Sequence, residues 1–237
     1  YSTSKKYPVL YMHDGQSLFR ERPNSGWGGD EWGVDEFLDT LGLDVIVVGV
    51  YNTTERYADY MPAKPYDAVQ AELLVNEDLK RWNIDAKIVS DKYLDCLVNK
   101  IKPLVDSIYS TKTDQQNTFV AGSSMGGLIS CYALGEYPEV FGGAACFSTH
   151  LPALKGVFLE YLEEEMPEGK GQRLWMDHGT ESLDSTYAPF QGKADLILAD
   201  KGYEFSSKVY EGASHSEVSW RARLPEVLGW LFADISN

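Results

Sequence analysis

The stretch that decides the fold reads Asn117-Thr-Phe-Val-Ala-Gly122-Ser-Ser124-Met-Gly126-Gly127-Leu-Ile-Ser-Cys-Tyr132. A β-rich run, 118–121, meets the turn Gly-Ser-Ser-Met-Gly, and a helix-compatible run follows. A strand, a G-x-S-x-G turn and a helix form a nucleophile elbow, in which a serine stands on a tight turn. Gly122 and Gly126 leave room where side chains would clash with the neighbouring strand and helix. The stretch therefore predicts that Ser124 is a nucleophile above a sheet edge.

The same turn predicts one donor of an oxyanion hole. The backbone N–H of Met125, next to the serine, points from a helix N-terminus toward the place where negative charge develops. A turn rich in glycine and serine also arises by chance and can be purely structural. The surrounding strand and helix, with a histidine near the C-terminus, favour the catalytic interpretation.

Composition narrows the class of protein. The chain has 237 residues, 43% hydrophobic and 24% charged, which fits one globular α/β domain. Its net charge of -15 argues against nucleic acid or an anionic membrane surface as a partner. No apolar run approaches the roughly 20 residues of a membrane span. The polar start, 1–7, shows no secretory signal. The 3 cysteines lack metal-ligand spacing, so we expect three buried thiols.

Strands and helices alternate along the whole sequence. The predicted strands are 7–13, 44–51, 118–121, 144–148, 173–179 and 205–210. Alternation of this kind predicts a mostly parallel sheet with helices on both faces, the α/β-hydrolase architecture, in a single domain over 1–237. Residues 63–89 follow Pro62 and contain Pro65 and a helix-like run, and we expect them to be an insertion near the active site.

Further site residues follow from position along this fold. The loop after the first strand, Asp14-Gly-Gln16, is where the fold places its second oxyanion donor, and we assign it to the Gln16 N–H. The alternative is a simple Asp-Gly turn. Polar and aromatic side chains near the carboxyl edge of the sheet are candidate substrate contacts, with ordinary surface aromatics as the alternative. They are Trp27, Arg56, Tyr57 and Tyr60.

Chain order selects the base among the 4 histidines. The hydrolase order is serine, acid, histidine, and His215 follows the last predicted strand. His13 precedes the serine and is excluded. His150 ends another strand, and we expect it either to line the pocket or to be a plain loop histidine.

The acid should follow the strand 173–179, where three carboxylates are within reach. Asp177 is expected to be tied into the strand, and Glu181 lies just beyond it with a longer side chain. We assign the acid to Asp184, where the loop turns into a helix, and keep Glu181 as the second choice. The alternative role of Asp184 is a helix N-cap, a common use of aspartate.

Several segments together resemble a known family. They are Tyr7-Pro-Val-Leu-Tyr-Met-His-Asp-Gly-Gln16, Gly122-Ser-Ser-Met-Gly-Gly127, Ser148-Thr-His150, Asp177-His-Gly-Thr180 with Leu183-Asp184, and Glu211-Gly-Ala-Ser-His215. They look like the Putative esterase family, which includes feruloyl and acetyl xylan esterases of carbohydrate esterase family one, enterochelin-esterase-like enzymes and S-formylglutathione hydrolases. Relatives usually have a strand or hairpin before the Tyr-Pro strand, and many carry an Asp where this chain has Ser182.

The resemblance implies a serine carboxylic-ester hydrolase with a Ser-His-Asp triad and an acyl-enzyme intermediate. It points to feruloyl or acetyl esters on plant polysaccharide, to no metal or organic cofactor, and to a secreted or periplasmic location. Two alternatives stay open. One is a general small-ester or thioester hydrolase, similar to S-formylglutathione hydrolase or to a siderophore esterase. The other is a degenerate domain that binds carbohydrate through Trp27, Tyr57 and Trp82. The oligomeric state is open.

Overall fold

A six-stranded sheet forms the centre of the computed structural model, which describes residues 1–20, 30–73, 87–233 and 235. In chain order the strands are β1 Val9–His13, β2 Ile46–Val50, β3 Thr118–Ser123, β4 Gly143–Phe147, β5 Arg173–Gly179 and β6 Glu204–Tyr210. Their spatial order is β2-β1-β3-β4-β5-β6, and every neighbouring pair is parallel. The predicted α/β class is confirmed.

Apolar clusters cover both faces of the sheet. Val9 and Tyr11 of β1 belong to one cluster, whereas Leu10 and Met12 belong to the other. Successive side chains of a strand point to opposite faces, so a strand covered on both sides reads as a continuous apolar run. This explains why the first strand could be recognised in the sequence.

Helices surround the sheet. Their bounds are α1 Val34–Leu41, α2 Arg56–Tyr60, α3 Ala63–Leu73, α4 Ser90–Cys96, α5 Lys102–Ile108, α6 Met125–Glu136, α7 Phe158–Glu164, α8 Ala188–Asp200 and α9 Glu217–Leu231. Helix α6 packs in the first cluster, and α9 packs against α1 in the second. Within the described residues, no helix combines the length and apolarity that crossing a membrane requires.

Two details differ from the sequence-based expectation. Apolar residues at helical spacing predict one helix over 90–109, but the structure has a π-helical turn, Leu97–Ile101, between α4 and α5. Pro103 has no N–H for the Asn99 carbonyl, and the wider turn accommodates that loss. Cys96 is exposed instead of buried, because it lies on the solvent side of α4, whereas Cys131 and Cys146 are buried.

The expected insertion over 63–89 is described only in part. Helix α3 lies within it and packs against α7. Residues 74–86, with Trp82, lie outside the described residues. An insertion near the active site stays a prediction. The carboxyl ends of all six strands meet at one edge of the sheet, which is where α/β folds bind ligands.

Candidate active site

Ser124 occupies a strained turn between β3 and α6. Its backbone has φ 58° and ψ -119°, a region that residues with a side chain rarely adopt. The Ser124 N–H donates to the Phe147 carbonyl at 2.9 Å, and the His150 N–H donates to the Ser124 carbonyl at 3.1 Å. These bonds to the end of β4 and the segment after it hold the serine at the sheet edge in an otherwise unfavourable conformation.

The crossing of β3 and α6 explains the glycine at 122. A Cβ added to Gly122 would lie 2.8 Å from the carbonyl carbon of Gly126, closer than real Cβ contacts allow. The strand and the first helical turn can therefore approach only if the side chain is absent. The sequence-based reason for this glycine matches the observed packing.

His215 is paired with a buried carboxylate. Its Nδ1 lies 2.6 Å from Asp184 Oδ1, and the Asp184 side chain is fully buried. Asp184 Oδ2 also accepts the Gly179 N–H and the Ser148 hydroxyl, each at 2.6 Å. Burial alone would raise the pKa of Asp184, but these hydrogen bonds outweigh it and hold that pKa below its usual range. Because an ionised carboxylate only accepts, His215 donates from Nδ1, and Nε2 carries the basic lone pair.

Ser148 connects the carboxylate to a buried arginine. Its Oγ accepts hydrogen bonds from Trp220 Nε1 at 2.9 Å and from Arg223 Nη2 at 2.7 Å. Both of those groups can only donate, so the single hydroxyl proton of Ser148 goes to Asp184. The Gly179 N–H on β5 and the Ser148 hydroxyl after β4 thus fix the orientation of the Asp184 carboxylate. Ser148 is itself held by Trp220 and Arg223 on α9.

The other two candidate acids lie elsewhere. Both oxygens of Asp177 are occupied, Oδ1 by the Ser148 N–H at 2.9 Å and Oδ2 by Trp175 Nε1 at 2.9 Å. Arg223 Nη1 lies 3.2 Å from Asp177 Oδ1, so the carboxylate forms a buried ion pair. Burial raises the pKa of Asp177, although Arg223 acts against that shift. Glu181 is exposed.

The two residues assigned as oxyanion donors, Met125 and Gln16, lie shortly after the ends of β3 and β1. Met125 is the first residue of α6, where helix geometry leaves the N–H without an intrahelical acceptor. Gln16 lies in a 3₁₀ turn, Gly15–Ser17, directly after β1. A Cβ on Gly15 would meet the Gly49 backbone at 2.4 Å, so this turn needs glycine to pass close to β2. The Gln16 side chain donates to Asn52.

The expected substrate contacts have different environments. Trp27 lies outside the described residues. Tyr57 is half-buried and packs against the first apolar cluster. The Arg56 guanidinium forms an ion pair with Asp14. Tyr60, expected at the sheet edge, is instead fully buried, because its ring packs against the neighbouring aromatic rings of β1 and α4.

His150 adjoins the serine turn and bonds to a tyrosine that sequence reasoning missed. Its Nδ1 lies 2.5 Å from the Tyr187 hydroxyl. Burial lowers the pKa of His150 to about 4, which keeps its ring neutral. The Tyr187 ring is buried and meets His215 edge-on, with ring centroids 5.7 Å apart. The sequence signal for Tyr187 was weak, because one tyrosine before a helix has no fixed role.

The parallel sheet, the strained serine and the buried carboxylate–histidine pair at one edge define an α/β-hydrolase. The chain belongs to the family described as "Putative esterase", which it matches over residues 1–231. The family predicted from the sequence is confirmed, and the coarse class of function is that of an esterase.

Several known proteins are similar to this chain in sequence or in structure. The chain is 26% identical over 239 residues to an "Endo-1,4-beta-xylanase/feruloyl esterase" from Xylanibacter ruminicola, covering 96% of this chain and 27% of that protein. An IroE-like serine hydrolase from Shewanella oneidensis superposes with a TM-score of 0.71 at 23% identity, covering 97% and 72% of the two chains. Enterochelin esterase from Shigella flexneri superposes with a TM-score of 0.70 at 20% identity, covering 98% of this chain and 53% of that chain. The chain thus spans about a quarter of the curated relative's length.

Proposed function

We propose that this chain hydrolyses carboxylic esters with Ser124 as the nucleophile, His215 as the general base and Asp184 as the orienting acid. The observation that supports this most directly is the 2.6 Å contact between His215 Nδ1 and the buried Asp184 Oδ1. This contact fixes the tautomer that a base acting on serine requires.

The proposed reaction proceeds in two stages. Ser124 Oγ attacks the ester carbonyl while His215 Nε2 removes its proton, and Asp184 stabilises the imidazolium. The N–H groups of Met125 and Gln16 bind the oxyanion, each contributing about 3 kcal/mol. His215 then protonates the leaving alkoxide, and water hydrolyses the acyl-enzyme by the same route. None of these steps requires a metal or an organic cofactor.

For the substrate we propose feruloyl or acetyl esters on plant polysaccharide, or the corresponding small esters. The support is the printed name of the relative from Xylanibacter ruminicola and the resemblance of the motifs. A net charge of -15 is also compatible with an uncharged sugar ester.

Covalent labelling tests the nucleophile directly. A fluorophosphonate probe should label the wild-type chain and not Ser124→Ala, and turnover of p-nitrophenyl acetate should fall by about 10⁴-fold or more in that variant. His215→Ala should lose nearly as much, and the double variant little more, because the two groups act as a unit. Ser130→Ala is the matched control, because its hydroxyl donates only to the Gly126 carbonyl within α6. Near-normal turnover of Ser124→Ala would refute the proposal.

A substrate panel tests the acyl group. Methyl ferulate and acetylated xylan should be hydrolysed faster than a long-chain acyl ester. Faster hydrolysis of the long-chain ester, or of S-formylglutathione, would move the assignment to another ester class without removing the triad.

A further inference from the structure

The Arg56 side chain binds Asp14 through a bidentate ion pair. Arg56 Nε lies 2.7 Å from Asp14 Oδ1, and Nη2 lies 2.8 Å from Oδ2. The guanidinium carbon also lies 5.0 Å from the centroid of the Tyr60 ring. A forked ion pair with an aromatic contact fixes the guanidinium plane. Two of its three nitrogens are thus already engaged, which weakens the sequence-based expectation that Arg56 binds substrate.

This ion pair connects the two loops that carry the assigned oxyanion donors. Asp14 stands two residues before Gln16, in a left-handed conformation with φ 56°, and its N–H donates to the Tyr60 hydroxyl at 3.0 Å. Arg56 Nη2 lies 3.4 Å from the carbonyl of Ser123, two residues before Met125. Helix α2, which carries Arg56 and Tyr60, therefore contacts both loops at once.

The Asp14 carboxylate lies against the first turn of α6. A Cβ added to Gly126 would be 3.4 Å from Asp14 Oδ2 and 3.9 Å from Arg56 Nη2. A negative charge here is attracted to the helix N-terminus, but it also repels an oxyanion forming at the same N-terminus. Arg56 offsets that repulsion because it neutralises the carboxylate.

We propose that Asp14 and Arg56 are positioning residues that set the spacing of the Gln16 and Met125 N–H groups and neutralise the charge beside the oxyanion. The proposal rests on the proposed function of the same site. It assigns the pair an effect on the transition state, in which the oxyanion exists, and little effect on substrate binding.

Four variants and a control test this pair. Arg56→Met leaves the Asp14 carboxylate unpaired, so kcat for p-nitrophenyl acetate should fall by about 10- to 100-fold while KM changes by less than about twofold. Asp14→Asn should lower kcat by a smaller factor than Arg56→Met does. The double variant Asp14→Asn/Arg56→Met should be more active than Arg56→Met alone, because the unpaired charge is gone. Arg56→Lys should be intermediate, since lysine keeps the charge but not the fork.

Arg221 provides the matched control, because it also pairs with a carboxylate, that of Glu31 at 3.5 Å, and lies 6.0 Å from the centroid of an aromatic ring, Phe37. Arg221→Met should keep the wild-type kcat and KM. Melting temperatures of all variants identify losses that come from misfolding, and Arg56→Lys keeps the test usable if Arg56→Met does not fold.

Near-wild-type kcat in Arg56→Met, or a double variant no better than Arg56→Met, would overturn the proposal. A raised KM with unchanged kcat would also overturn it and return Arg56 to substrate binding. Fluorophosphonate labelling separates this failure from failure of the proposed function. Labelling that depends on Ser124 in every variant leaves the nucleophile assignment intact, whereas labelling that survives Ser124→Ala removes both.

Discussion

At the scale of single residues, hydrogen bonding distinguishes the candidate acids more sharply than their positions in the loop. Asp184 faces His215 with one oxygen and is anchored by donors on the other. Its side chain makes no helix-cap bond, so the alternative role as an N-cap is not observed. Both oxygens of Asp177 are bound by other groups. Oδ1 contacts the Ser148 N–H and Arg223 on α9, and Oδ2 accepts from Trp175 on β5.

Asp184→Asn should lower kcat by about 10⁴-fold, because an amide at this position favours the wrong tautomer of the histidine. Glu181→Gln is the natural comparison, since Glu181 is exposed and belongs to the same loop. It should keep near-normal turnover. The measurement is kcat for p-nitrophenyl acetate at neutral pH. The reverse pattern, with an inactive Glu181→Gln, would move the acid to Glu181.

Ser148→Ala should reduce stability as well as turnover. The change leaves the buried donors Trp220 Nε1 and Arg223 Nη2 without their Ser148 acceptor, which costs about 1–3 kcal/mol for such groups. It also removes one donor from Asp184, so kcat should fall. Ser185→Ala, an exposed serine bonded only to a local carbonyl, should change stability by less than about 0.5 kcal/mol. Equal melting temperatures for the two variants would contradict this account.

At the scale of elements, the space beside a glycine predicts opposite effects of alanine at two positions, one at the close crossing of β3 and α6 and one inside α8. Gly122→Ala should be strongly destabilising, because its Cβ meets backbone at 2.8 Å. Gly192 lies inside α8 with nothing within 4 Å of an added Cβ, so Gly192→Ala should stabilise by about 0.5–1 kcal/mol. Chemical denaturation of both variants measures the two free energies. A destabilised Gly192→Ala would mean that the space beside this glycine is not open to a methyl group.

The sequence predicted elements where local patterns are strong and missed contacts that join distant elements. The prediction for β5 matches its observed bounds, and the serine turn follows from its glycines. Arg223 falls on the buried face of α9, which signals a buried charge in need of partners. Its partners lie on other elements, Ser148 directly after β4 and Asp177 on β5, so only the fold brings them together. The pairing of Asp14 with Arg56 was unpredictable for the same reason.

At the scale of the whole molecule, buried histidines make stability depend on pH. Burial lowers the pKa of His13 to about 4, and the pKa of His150 shifts to about 4 as well. An unfolded histidine titrates near 6.5, so between about pH 4 and pH 6.5 the unfolded chain binds more protons. Stability therefore falls as the pH drops through this window, by up to about 1.4 kcal/mol per pH unit for each histidine.

Two buried aspartates also make stability depend on pH. Asp184 does so at a lower pH than this window, and Asp177 does so in the opposite direction to the histidines. The pKa of Asp184 is lowered, so its contribution is lost only as the pH falls below the ordinary range of aspartate. The pKa of Asp177 is raised by burial, so acidification relieves part of its cost and opposes the histidine effect. The pH dependence of stability in the wild-type chain is therefore the sum of contributions from several groups. A single variant is needed to isolate the contribution of one histidine.

The variant His13→Gln isolates the contribution of His13, because glutamine does not titrate. Glutamine can also keep a hydrogen bond to the Tyr93 hydroxyl, which lies 2.7 Å from His13 Nδ1 in the wild type. The variant should be less stable at pH 7, since its shape fits the buried site less well. Between pH 6.5 and 4 it should lose less stability than the wild type, by up to about 1.4 kcal/mol per pH unit, because the unfolded variant has one fewer proton to gain. Urea unfolding at several pH values measures this difference directly. Parallel stability curves for the two proteins would mean that His13 does not resist protonation in the folded state, and acid sensitivity would then have to come from His150 or the carboxylates.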